Sequence, residues 1–326
     1  MADATDTELP LEASAGEAGP HATEAFALLG NETRLAILLA LWEAYDPHAE
    51  ENTVPFSRIF DRVDYDDPGS FRYHLRQLEG HFTRQRAEGE GYELRTAGLK
   101  FVQVVIAGAG VEDATHEAEV IDHECPFCGA RTAISYREGL VVQVCTECEG
   151  VVDGDVPGFL GAVPFDPAGL VDRTPEEVRA ASRVAAWRQT QLMFEGLCPA
   201  CSGPVESWLD CCPDHDPAGL CEECGMQFAA VARFQCRVCK NHNVSSPKAL
   251  ALFHPDVMGF YANHGVSTRV HAEDFESVHR VFGLMDDHEV EVLPKDPPEV
   301  AVAVAVDEDE MRLTYDETAN VVDVRR

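Results

Sequence analysis

The feature that constrains this chain most is the placement of its 12 cysteines. None precedes Cys125, none follows Cys239, and all but Cys211 stand at the spacing of a two-ligand turn. Cys125-Pro-Phe-Cys128-Gly and Cys145-Thr-Glu-Cys148-Glu-Gly are two such knuckles with 16 residues between them. A Cys-x-x-Cys turn aims both sulfurs at one point, and the small residue that follows lets backbone amides approach them. Four thiolates complete a tetrahedral zinc shell with no open position, so the ion is expected to hold structure and not to catalyse. Between the knuckles, residues 132–136 and 140–144 alternate like the strands of a ribbon hairpin.

A second cluster follows: Cys198 with Cys201, Cys212 with His215, Cys221 with Cys224, and Cys236 with Cys239, leaving Cys211 over. These pairs suffice for two further ions, or for one if Cys212 and His215 are not ligands, so two to three Zn2+ are expected in all. Joining 198/201 to 221/224 across 19 residues makes a second ribbon and leaves 212/215 for 236/239. Joining the first knuckle to the last is the alternative, and spacing does not choose between them.

Upstream of the cysteines lies a different chemistry. Asp67, Pro68, Gly69 and Ser70 form a turn and helix cap, after which Phe71, His74, Leu75 and Leu78 recur at helical spacing. The opposite face then carries Gly69, Arg72, Tyr73 and Arg76, two guanidinium forks and a phenol beside a residue that permits close approach. Residues 82–86 and 92–95 read as two strands around the glycine-rich turn 87–91, with Arg84 and Arg86 on the hairpin. From Pro68 to Lys100, Arg72, Arg76, Arg84, Arg86, Arg95 and Lys100 outnumber Glu79, Glu88, Glu90 and Glu93, whereas the whole chain has a net charge of −33. A basic island in an acidic chain is where a polyanion docks. The expected reading helix is residues 68–78, with Gly69, Ser70, Arg72, Tyr73, Arg76, Arg84 and Arg86 as the DNA-binding set.

The helices before it complete the pattern. A short helix at 26–29 ends at Gly30, and Asn31 caps a second whose buried face is read as Leu35, Leu38, Leu39 and Trp42. Pro55 opens a third with Phe56, Ile59, Phe60 and Val63 inward. Thr96 caps a last helix from 97 to about 107, with Leu99, Val102, Val105 and Ile106 on one side.

Three blocks in this order, 25–38 (Ala25-Phe26-Ala27-Leu28-Leu29-Gly30-Asn31-Glu32-Thr33-Arg34-Leu35-Ala36-Ile37-Leu38), 70–78 (Ser70-Phe71-Arg72-Tyr73-His74-Leu75-Arg76-Gln77-Leu78) and 91–98 (Gly91-Tyr92-Glu93-Leu94-Arg95-Thr96-Ala97-Gly98), resemble the ArsR-like winged-helix transcriptional regulators in their halophilic archaeal form. The likeness covers about residues 23–108. It implies a winged helix-turn-helix, duplex DNA as the partner, and a homodimer. The metal-sensing site of the family's best-known branch is not carried over, because no cysteine lies before Glu124.

The expected fold class is therefore multidomain α+β. The segments are an acidic tail (1–21), a winged helix-turn-helix (22–108), a zinc ribbon (109–155), a linker with a helix capped by Thr174 and spanning to about 195 (156–196), a cysteine-rich module (197–244) and a C-terminal α+β unit with an antiparallel sheet (245–326). With 25 basic against 58 acidic residues, and only Lys100, Lys240, Lys248 and Lys295 as lysines, the composition resembles that of an extreme halophile. The first 20 residues show no basic or apolar leader pattern and no run of 18 apolar residues occurs, so a soluble cytoplasmic protein with no membrane partner is expected. In such a reducing compartment the cysteines are metal ligands and not disulfides.

Function follows as a DNA-binding transcriptional regulator. The alternative is an accessory factor of the transcription machinery, since a winged helix followed by a zinc ribbon is also the layout of the archaeal homologue of the TFIIE alpha subunit. A redox or metal sensor using the 198–239 cluster and Cys211 is a third class. No HExxH, phosphate-cradling glycine loop with lysine, or nucleophile outside the ligand-spaced pairs occurs, so no enzyme is expected. His254, His264, His271 and His279 lack ligand spacing and are expected at the surface.

Overall fold

A computed structural model describes residues 27–86, 91–108, 115–216 and 219–326. The acidic tail 1–21, Phe26 of the first short helix, most of the hairpin turn (87–90) and part of the segment before Cys125 (109–114) lie outside the described residues. The chain is mixed α/β with antiparallel sheets, and divides into two compact units, Met1–Gly110 and Val111–Arg326.

In the first unit, Asn31 accepts the Arg34 amide at 3.0 Å and opens α1 (Glu32–Glu43). α2 (Phe56–Val63) ends on Asp64 in the left-handed conformation, and the chain then turns into α3 (Pro68–Leu78). Asp67 caps α3 by accepting the Gly69 and Ser70 amides, each at 3.0 Å, while Pro68 sits in the first turn where a missing N–H costs nothing. β1 (Thr83–Gln85) and β2 (Tyr92–Leu94) pair antiparallel with Arg84 opposite Glu93, and α4 (Thr96–Ile106) follows. Ile37, Leu38 and Leu41 of α1, Ile59 of α2, Phe71, Leu75 and Leu78 of α3 and Val102 of α4 form one core.

Two expectations change here. The buried stripe of α1 is Ile37, Leu38, Ala40 and Leu41, with Leu35, Leu39 and Trp42 only half-buried. The helix is apolar nearly all round, so spacing alone does not choose a face. α4 begins at Thr96 with no side-chain cap, and Ile106 points outward at 42% exposure.

Gly98 on α4 is required by packing, because a Cβ there would lie 2.3 Å from the Phe82 carbonyl oxygen. Gly98→Ala gains about 1 kcal/mol of helix propensity. Overpacking against fixed backbone costs about 1–3 kcal/mol. The clash is with backbone and not with a flexible tip, so the variant is expected to be destabilised, as a lower urea midpoint will report.

The second unit has three sheets. β3 (His116–Glu124), β4 (Arg131–Arg137), β5 (Leu140–Cys145) and β6 (Phe159–Pro164) pair in that order, antiparallel throughout. β7 (Val205–Cys211), β8 (Ala230–Cys236) and β9 (His242–Ser245) form the next. β10 (Glu289–Leu293), β11 (Glu299–Val306), β12 (Asp309–Tyr315) and β13 (Val321–Arg325) make an up-and-down sheet. The helices are α5 (Pro175–Phe194), α6 (Pro247–Ala251), α7 (Pro255–Asn263) and α8 (Phe275–Gly283).

α5 is the common spine of this unit. Thr174 and Glu177 form a reciprocal capping box at its start. Val178 near that end joins Ile121, Ile134, Tyr136 and Val141 of the first sheet. Two to four turns on, Trp187 and Met193 enter a larger core with Leu209, Phe234, Leu250, Tyr261, Val302, Leu313 and Tyr315. The segments 197–244 and 245–326, read separately from the sequence, thus share one apolar interior.

Candidate metal centres and the exposed face of α3

Three groups of four residues each bring their ligand atoms within 4.8 Å of one another: Cys125, Cys128, Cys145, Cys148; Cys198, Cys201, Cys236, Cys239; and Cys212, His215, Cys221, Cys224. In the first, Cys125 Sγ lies 3.7 Å from Cys148 Sγ and Cys128 Sγ 3.5 Å from Cys145 Sγ. In the second, Cys198 to Cys239 is 3.6 Å and Cys201 to Cys236 3.5 Å. A tetrahedron with zinc–sulfur bonds of about 2.3 Å has edges of about 3.8 Å. The residues therefore fit a four-coordinate ion. In the third group His215 Nδ1 stands 3.6 Å from Cys224 Sγ.

Of the two pairings open from spacing, the structure takes the first knuckle with the last. Strand register decides it. β7 and β8 are antiparallel with Val205 opposite Cys236, so the turn entering β7 (198/201) meets the turn leaving β8 (236/239). At the other end Cys211 faces Ala230, and the residues between the strands close Cys212 and His215 on Cys221 and Cys224. The pairings 198/201 with 221/224 and 212/215 with 236/239 would each span the seven-residue hairpin, about 20 Å at about 3.3 Å per residue.

Backbone amides point at the sulfurs, as a thiolate requires. Cys145 Sγ accepts the Glu147 and Cys148 amides at 3.4 and 3.3 Å, and Cys236 Sγ those of Val238 and Cys239 at 3.4 and 3.5 Å. Burial pushes the Cys145 and Cys198 thiols up, yet amide hydrogen bonds, together with neighbouring thiols, outweigh it and hold them at about 7 and about 6. The Asp216 and Cys224 amides bring Cys221 to about 6. Burial raises the Cys236 thiol too and backbone hydrogen bonds again outweigh it, so each group has at least one thiol poised as the metal-ligating anion. Cys211 belongs to no group, and burial followed by Asp210 raises its thiol.

The first and third groups are joined through backbone. Asp153 donates to the Gly225 carbonyl at 2.9 Å and Gln227 to the Val151 carbonyl at 3.0 Å, and the Phe127 and Phe228 rings lie 6.0 Å apart.

In the first unit Phe71, Leu75 and Leu78 face inward, while Gly69, Arg72, Tyr73 and Arg76 are exposed, Tyr73 at 56%. Arg72 stacks over the Phe56 ring at 4.5 Å, which holds its stem along α2. Ser70 is half-buried and its hydroxyl lies 3.3 Å from the Tyr65 hydroxyl. Arg84 and Arg86 both donate to the Glu93 carboxylate, Arg86 at 2.9 Å, so their forks are already engaged on the hairpin. Burial raises the Glu93 carboxyl, but the two arginine hydrogen bonds outweigh it and hold it below the ordinary value.

None of His254, His264, His271 and His279 joins a metal group among the described residues. His254 accepts the Asp256 amide at 3.3 Å as the cap of α7, and His264 pairs with Asp309 at 3.0 Å. Sequence reading passed over His288, which is 2% exposed and binds the Tyr261 hydroxyl at 2.8 Å and the Lys248 carbonyl at 3.0 Å. No periodic signal marks a lone histidine that packs through tertiary contacts.

The class defined so far is a mixed α/β chain with three cysteine-rich groups that could hold metal. Residues 122–321 match the family described as Domain of unknown function (DUF7351), and the chain belongs to that family. Residues 22–105 match Domain of unknown function (DUF7347). No curated protein matches the chain. The Rio2 kinase from Chaetomium thermophilum, solved as an ADP/Mg2+-phosphoaspartate complex, is similar at 16% identity over 51% of this chain and 48% of that chain, with a TM-score of 0.22. The likeness spans less than half of the kinase. No helix among the described residues is long and apolar enough to cross a membrane.

Proposed function

We propose that this chain is a DNA-binding transcriptional regulator of the ArsR-like winged-helix kind, with its second unit held by structural zinc. The observation that carries the reading is the face of α3: Arg72, Tyr73 and Arg76 are exposed on the side opposite Phe71, Leu75 and Leu78, with Gly69 exposed in the first turn of the same helix. Arginine forks read guanine edges in the major groove. The β1–β2 hairpin serves as the wing, though Arg84 and Arg86 must share Glu93 with any phosphate they contact. Zinc in the cysteine groups supplies folding energy, and the unit acts as a homodimer on duplex DNA.

Genome-wide immunoprecipitation of bound DNA followed by footprinting tests this. Arg72→Ala and Arg76→Ala are each expected to cost about 1–3 kcal/mol of specific binding while thermal stability changes little. An unchanged footprint in the double variant overturns the reading. The accessory-factor alternative is favoured by one observation, the position of a four-cysteine group directly after the unit that carries α3. It expects polymerase subunits to be retained in a pull-down by that same double variant.

A further inference from the structure

Arg179 and Arg183 stand four residues apart on α5, so both side chains leave the same face of the helix, toward the β3–β6 sheet. The sheet meets them with a layer of neutral polar groups. Gln143 donates to Thr132 Oγ1 at 3.1 Å and its carbonyl oxygen accepts from Arg183 at 3.1 Å. His123 Nε2 is the hydrogen-bond partner of Arg179, and Nδ1 lies 3.4 Å from the Gln143 amide nitrogen. From the other side α8 brings Phe282, whose ring lies 5.7 Å from the Arg183 guanidinium, and the exposed His279 stands three residues before it on the same helix.

What the two guanidiniums lack is an anion. Among the described residues neither pairs with a carboxylate, although the chain carries 58 acidic residues against 25 basic ones. Arg179 Nε is buried with no hydrogen-bond partner. Removing a cation from water without a counter-charge is costly, and the cost grows when a second cation sits beside it. Burial and the neighbouring Arg183 together weaken the hold of Arg179 on its proton, to about 9. Both residues are half-buried, and the Arg179 Nε atom is itself enclosed.

We propose that Arg179 and Arg183, with His279 at the rim, form a receptor for the phosphate-type oxyanion of a small ligand. Guanidinium forks bind tetrahedral oxyanions through paired N–H donors, and two such cations match the charge of a phosphate dianion. The site is built from residues of Val111–Arg326 alone and uses none of the α3 residues, so it does not depend on the DNA-binding reading.

The test is calorimetric titration of the full metal-loaded chain with inorganic phosphate, read in parallel by the thermal midpoint and by emission of Trp187, one turn from Arg183 and 5.4 Å from the Phe282 ring. Saturable 1:1 binding and a rise in the midpoint are expected. Arg183→Lys keeps the charge but loses the fork, and is expected to weaken binding about tenfold. Arg179→Gln is expected to weaken it by more than that. Should Arg179→Gln fail to fold, Arg183→Lys and the rim variant His279→Ala still decide the matter by their affinity for phosphate. Tighter binding of a nucleoside monophosphate than of phosphate identifies a phosphomonoester as the ligand, and equal binding identifies the free ion. The proposal is overturned if no saturable heat appears up to phosphate on the order of 10 mM, or if the variants bind as the parent does. It is equally overturned if duplex DNA displaces phosphate, because the arginines then contact a nucleic-acid backbone.

Discussion

Cys236→Ser is expected to unfold the Val111–Arg326 unit, and chelation of the unaltered chain to do the same. Cys236 is 1% exposed, ends β8, and meets Cys201 at 3.5 Å. The strand it terminates carries Ala232 and Phe234 into the core that also holds Tyr315. Structural zinc contributes about 10–16 kcal/mol to folding in small modules at neutral pH. A whole domain is stable by only about 5–15 kcal/mol. Loss of the ion thus removes as much free energy as the fold possesses, and the loss spreads because the cluster and the C-terminal sheet share one interior. Circular dichroism during chelation, with zinc added back to restore the signal, measures it. A melt unaffected by chelation in a chain shown to have bound zinc would sink the expectation.

Phe71→Ala is expected to cost about 3–5 kcal/mol in the first unit. Phe71 is fully buried under α3, with Phe56 at 5.6 Å, Phe60 at 5.2 Å and Tyr65 at 5.6 Å around its ring. Three rings enclosing one site leave a cavity that the helices cannot close by small shifts. Arg72, the next residue, contributes at most about 1 kcal/mol through its contact with Phe56. The pair therefore separates stability from recognition: Phe71→Ala lowers the urea midpoint reported by Trp42, which packs on this core, and Arg72→Ala leaves it nearly unchanged. A cost below about 1 kcal/mol for Phe71→Ala would mean that the aromatic cluster repacks.

Legibility from sequence tracked the range of the interaction involved. The α3 cap and its two faces depend on contacts within one helical turn, and Asp67, Phe71, Leu75 and Leu78 stand where spacing puts them. The strands of the C-terminal sheet announce themselves through alternation, as in Val300, Val302 and Val304. β3 and β6 carry no strand signal, because His116–Glu124 is acidic and Phe159–Pro164 contains glycine and proline, so neither resembles an isolated strand. They are strands because β4 and β5 supply the edges on which they pair.

The ligands themselves were readable because metal chemistry demands cysteine or histidine at turn spacing, a purely local requirement. Which four ligands share an ion was not, since that depends on β7 running antiparallel to β8 with Val205 opposite Cys236. The same holds for Arg179 and Arg183, ordinary helix residues until the β3–β6 sheet and α8 close around them without a carboxylate. The sequence by itself determined which residues can cap, bury or ligate, because those properties act over a few bonds. Tertiary structure alone decided which of them meet, because register and shared cores are set by contacts between segments far apart in the chain.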